Sequence, residues 1–122
     1  MATDTARDIR NRAFLFACQV ARLALGLGVA PGIRAIVDQL LRSGTAVGAN
    51  LEEAKAASTR REFVRYLEIA LREAREALYW LRICSELRLG SDDQVRALKD
   101  ESDQMVRILT AIVINTKKRK TI

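Results

Sequence analysis

The chain has 122 residues, 49% of them hydrophobic and 30% charged, with a single proline and no histidine. That length sets one modest domain, and the scarcity of turn residues and aromatics argues against a β-protein. A net charge of +6 invites a polyanionic partner, while the missing imidazole removes most of the acid–base and metal chemistry open to helical proteins.

The spacing predicts a first helix over about residues 5–27. Ile9, Ala13, Phe16, Val20, Leu23 and Leu27 recur at steps of three and four, the period of one helical face. Gly26, Gly28, Pro31 and Gly32 are expected to break it. A second helix, about 33–57, carries Ile36, Val37, Leu40, Leu41, Val47, Leu51 and Ala54 on one stripe. Its centre is rich in small residues, with Gly44 and Gly48 one turn apart. Glycine inside a helix costs about 1 kcal/mol relative to alanine, so the pair predicts close approach of a neighbouring helix.

Thr59-Arg60-Arg61-Glu62 reads as a capping box opening a third helix, about 60–89. The threonine hydroxyl accepts from the amide of Glu62, whose carboxylate is expected to reach back to the amide of Thr59. Phe63, Leu67, Ala70, Leu71, Ala74, Leu78, Leu81 and Leu87 follow on one face, and Gly90 supplies a left-handed stop. Ser91-Asp92-Asp93-Gln94 repeats the cap and opens a fourth helix, about 92–116. There Val95, Leu98, Ser102, Met105, Leu109, Ile112 and Thr116 hold a heptad pattern. Residues 117–122 form a basic tail expected to fray. Short connections between long helices make the fold class all-α: a single-domain, antiparallel up-and-down four-helix bundle over residues 1–122.

Helices one and four also carry apolar residues off their core stripes: Phe14 and Leu25 on the first, Val106, Ile108 and Ile114 on the fourth. A bundle helix needs only about 100° of apolar face. The surplus predicts a homo-oligomer.

Charges interrupt every apolar run before the roughly 20 residues of a membrane span, and no signal peptide is visible at the N-terminus. A cytoplasmic location is expected, with no membrane partner. Cys18 and Cys84 lie among apolar neighbours and read as two buried thiols.

No catalytic residue, metal ligand or cofactor is expected. Ferritin-like sites need Glu-x-x-His pairs, and no serine or cysteine has a histidine to activate it. The carboxylates of the third helix read as surface ladders, Glu68 with Arg72, Arg72 with Glu76 and Arg82 with Glu86. The chain is expected not to be an enzyme.

Lys117, Lys118, Arg119 and Lys120 supply four of the six net positive charges. A second basic cluster, Lys55, Arg60, Arg61 and Arg65, sits at the corner between helices two and three. Repeated around a symmetric oligomer, these residues suit phosphate contacts to RNA or DNA. No aromatic interleaves with either cluster, so base stacking is not indicated, and no recognition-helix motif for base edges is present. The alternative is a protein-interaction scaffold or accessory subunit whose charge serves solubility alone.

The stretch Leu40-Leu41-Arg42-Ser43-Gly44-Thr45-Ala46-Val47-Gly48-Ala49-Asn50-Leu51-Glu52-Glu53-Ala54 resembles the second-helix signature of the four helix bundle proteins related to those encoded in intervening sequences of bacterial 23S ribosomal RNA. Glu62 to Leu71, Glu73 to Glu76 and Tyr79-Trp80-Leu81 are similar to its third-helix pattern. The chain departs from that pattern at Ala54, where glycine is frequent, and at Glu73, where serine is frequent. The resemblance implies a closed pentamer. It also implies kinship with the nucleic-acid-binding accessory protein of diversity-generating retroelements, which also binds a reverse transcriptase. Arg42, Ser43 and Asn50 match the signature and read as a structural packing and polar-contact cluster.

Overall fold

A computed structural model describes residues 4–119, so the expected tail residue Lys120 lies outside the described residues. Four helices follow in order: α1 (Asp4–Leu25), α2 (Pro31–Lys55), α3 (Arg60–Glu86) and α4 (Asp92–Lys118). Each packs on its sequence neighbour and α1 closes on α4, with no close approach between the diagonal pairs among the described residues. Residue registers run in opposite directions across the helix pairs. Val20 of α1 meets Gly44 of α2 while Ala13 meets Gly48, and Arg12 meets Glu101 while Leu23 meets Gly90 at the start of α4. The bundle is therefore antiparallel and up-and-down.

Several helix ends depart from expectation for local reasons. Pro31 and Gly32 open α2 instead of interrupting the chain before it. A proline at the first helical position gives up an amide that would have no intrahelical partner. Helix α3 stops at Glu86 rather than Leu89, because the left-handed residue that ends it is Arg88, at φ 57°. The amide of Leu89 bonds the carbonyl of Cys84 at 2.9 Å and that of Arg88 bonds Ser85 at 3.2 Å, a Schellman stop. Gly90 is also left-handed, at φ 77°. Helix α4 continues through Lys118, so Lys117 and Lys118 are helical rather than part of a tail.

The Thr59 hydroxyl accepts from the Glu62 amide at 3.1 Å, as the capping box requires. Glu62 returns its carboxylate to the amide of Ser58, at 3.0 Å, and not to that of Thr59. Ser91 accepts from the amide of Gln94.

The core is built from the expected stripes, led by Phe16, Leu23, Leu40, Leu81, Leu98, Met105 and Leu109. Leu41 and Leu87 are exposed instead; Leu87 caps α3 and lies past its last regular turn. Two serines are fully buried and both are satisfied. Ser43 donates to the carbonyl of Gln39 at 2.9 Å. Ser102 of α4 donates to the carbonyl of Ala74 of α3 at 2.9 Å. Cys84 is buried, and burial pushes its thiol pKa up. Cys18, expected to be buried, is only half-buried.

The surplus apolar residues divide. Val106 and Ile108, expected off the core, are half-buried and packed against it. Phe14 is 65% exposed, Leu25 is 88% exposed and Ile114 also faces solvent. Helix α1 is thus the main carrier of an uncovered apolar face. No helix among the described residues is long and apolar enough to cross a membrane.

Candidate nucleic-acid interface

Antiparallel packing puts the last turn of α2, the first turns of α3 and the last turn of α4 at one end of the bundle. The two basic clusters, separated in sequence by about half the chain, therefore meet. Arg60, Arg61, Val64, Arg65 and Glu68 of α3 line a surface groove together with Lys117 of α4.

Two contacts hold α4 against α3 there. Lys117 Nζ lies 2.7 Å from Glu68 Oε2. The Arg60 guanidinium donates to the carbonyl oxygen of Arg119, which follows the last residue of α4. Carbonyls at a helix C-terminus lack intrahelical donors and carry partial negative charge, so Arg60 caps α4. Arginine retains further donors for a second acceptor.

Of the predicted residues, the groove gathers Arg60, Arg61, Arg65 and Lys117. Lys55, Lys118 and Arg119 are exposed at the same end without lining it. The apolar floor supplied by Val64 and the single carboxylate of Glu68 leave cationic groups dominant. Such a surface can neutralise successive phosphates, and its one carboxylate, Glu68, is paired with Lys117. Among the described residues, no group of three or more His, Cys, Asp or Glu is placed to hold a metal ion.

The expected ladders within α3 do not form among the described residues. Glu68 turns to Lys117, and Glu73 and Glu76 both turn to Arg42 of α2. A cation on a neighbouring helix draws each carboxylate across the helix boundary. Arg42 bonds Glu73 at 3.3 Å and also bonds Glu76, which accepts from Trp80 Nε1 at 3.3 Å as well. The hydrogen bond from Arg42 holds the Glu76 carboxyl below its ordinary pKa. Partial desolvation opposes this, and the Trp80 bond assists it. Arg42 is thus a clasp between α2 and α3, Ser43 bonds within its own helix, and Asn50 donates to the carbonyl of Ala46 at 2.8 Å. These are packing and polar contacts, as the sequence suggests.

A second clasp has no sequence signal beyond its charges. Arg12 of α1 makes a bidentate pair with Glu101 of α4 at 2.8 and 2.9 Å, and adds Gln104 at 2.9 Å. The hydrogen bond to Glu101 raises the Arg12 pKa further. Helix partners so distant in sequence cannot be paired by periodicity.

Among curated proteins none matches this sequence. In fold it is similar to a protein of unknown function from the S23 ribosomal protein family of Bacteroides thetaiotaomicron, whose crystal structure extends to 1.70 Å. The TM-score is 0.80 at 29% identity, over 89% of this chain and 97% of the other. The model of the 23S rRNA-intervening sequence proteins matches residues 6–111, nearly the whole bundle, and the chain belongs to that family.

Proposed function

We propose that this chain is a non-enzymatic, cytoplasmic, homo-oligomeric bundle that binds nucleic acid through the basic end described above, repeated around the oligomer axis. The observation that carries the reading is the meeting of Arg60, Arg61 and Arg65 with Lys117 in one groove. Lys55, Lys118 and Arg119 extend the positive surface at that end, and Lys120 adds a further charge in sequence. Contacts of this kind are made to the sugar–phosphate backbone and carry little sequence preference.

Self-association is supported by the uncovered apolar residues of α1, Phe14 and Leu25, on a face that needs a partner. The family resemblance favours five copies. Each copy contributes one groove, so affinity for a long polyanion rises with copy number.

Titrating salt against binding of generic RNA and duplex DNA tests the reading. Affinity is expected to fall steeply with salt, and deletion of residues 117–122 is expected to flatten the dependence. Absence of binding at low salt refutes it and leaves a protein-interaction scaffold.

A further inference from the structure

The withdrawal of Glu76 toward Arg42 leaves Arg72, one turn earlier on α3, without that carboxylate as a partner. Arg61, Arg65, Arg72, Arg75 and Arg82 follow one another at steps of four, seven, three and seven, which places all five on a single helical face. All five are exposed, and that face points away from the core residues Leu67, Ala70, Ala74 and Leu81. Among the described residues, none of the five lies within ion-pair distance of a carboxylate.

At about 1.5 Å per residue the row spans roughly 32 Å. Of the carboxylates beside it, Glu68 is paired with Lys117 and Glu76 with Arg42, and Glu86 lies one turn past the last arginine. Tyr79 stands in the same line, between Arg75 and Arg82, and is 55% exposed. Its ring is braced edge-on by Trp80 at a centroid distance of 5.4 Å.

We propose that the outer face of α3 is a track for an extended single strand of RNA or DNA. The strand leaves the groove at Arg61 and Arg65, runs past Arg72, Arg75 and Arg82, and stacks a base on Tyr79. Unpaired arginines in a row neutralise successive phosphates, and an exposed aromatic set among them is the stacking platform that single-strand binders use. A duplex fits this row poorly, because its backbone along any straight edge is interrupted by a major groove about 12 Å wide. A face this charged is also the least suited to burial between copies of the chain. The proposal rests on the nucleic-acid reading above and extends it beyond the basic end.

Single-stranded RNA, single-stranded DNA and duplex DNA of equal length, each fluorescently labelled, are titrated with full-length protein across roughly 50 to 200 mM salt. Wild type is compared with an Arg72→Gln, Arg75→Gln, Arg82→Gln triple variant and with Tyr79→Ala. The triple variant is expected to lower the salt slope on single strands by about 2, at about 0.7 for each phosphate no longer neutralised. Tyr79→Ala is expected to weaken single-strand binding about fivefold or more at an unchanged slope, and Tyr79→Phe to restore it. Unchanged single-strand binding by both the triple variant and Tyr79→Ala overturns the track while leaving the basic end in place. Equal losses on duplex and single strand overturn the single-strand assignment. Failure of the wild type to bind any of the three overturns the track together with the reading it rests on.

Discussion

Gly44 of α2 sits against Val20 of α1 so closely that a methyl group on the glycine would lie 2.9 Å from Val20 Cγ1. One turn on, a methyl group on Gly48 would lie 3.5 Å from the backbone of Ala13, an ordinary contact. Val20 is fully buried and β-branched, so it has little freedom to move aside. Gly44→Ala is therefore expected to destabilise by about 1 kcal/mol net, overpacking outweighing the gain in helix propensity. Gly48→Ala is expected to be neutral or to stabilise by up to about 1 kcal/mol. Thermal unfolding of the two variants decides, and equal effects contradict the difference in packing.

The stop of α3 gives a second pair of opposite signs. Arg88 occupies the left-handed position of the Schellman motif, where a side chain costs about 1 kcal/mol. Arg88→Gly is expected to raise the unfolding midpoint. Gly90→Ala is expected to lower it, since the position is left-handed and its Cβ would lie 2.6 Å from Leu23 Cδ1. Denaturant unfolding of both variants measures the signs directly.

Acid weakens the α2–α3 clasp in a defined direction. The folded-state pKa of Glu76 is lowered, first by its hydrogen bond from Arg42. Its contribution is thus fully present above the ordinary pKa of 4.5 and is lost as pH falls through the lowered value. Arg42→Met is expected to reduce the melting temperature at neutral pH, and the penalty is expected to shrink as pH falls below 4.5. A penalty that persists in acid assigns Arg42 a packing role instead.

Phe14 lies on the face proposed to join copies of the chain, and its exposure means the bundle does not need it. Phe14→Glu is expected to leave helicity unchanged and to reduce the native mass to that of a monomer of 13.6 kDa. A wild-type mass already at that value contradicts self-association.

Particular elements show how far the sequence carries. The three- and four-residue spacing of Ile9 to Leu23 and of Val95 to Leu109 locates the core, because burial follows helical period. Thr59 and Ser91 cap where expected, since capping is read within four residues. Gly44 betrays a close contact by its cost inside a helix, though Val20 as the partner is a matter of register. The ends of α2 and α3 are obscured by residues with two uses: Pro31 both starts and breaks helices, and Arg88 adopts a conformation usually left to glycine. Long-range ion pairs are the least legible. Glu68 and Glu76 each have an arginine four residues away, yet Lys117 and Arg42 on other helices take them. Both basic clusters are visible as composition, but only antiparallel packing brings Arg60, Arg61 and Arg65 of one into a groove with Lys117 of the other.

The most direct test is the salt slope of RNA and DNA binding for the wild type and for an Arg61→Gln, Arg65→Gln variant. Both side chains are exposed and line the groove. Their removal is expected to reduce the slope by at least about 1.4, at roughly 0.7 to 0.9 per neutralised phosphate, with helicity intact. An identical slope in the two proteins, or a wild type that fails to bind at low salt, contradicts a nucleic-acid interface at this end of the bundle.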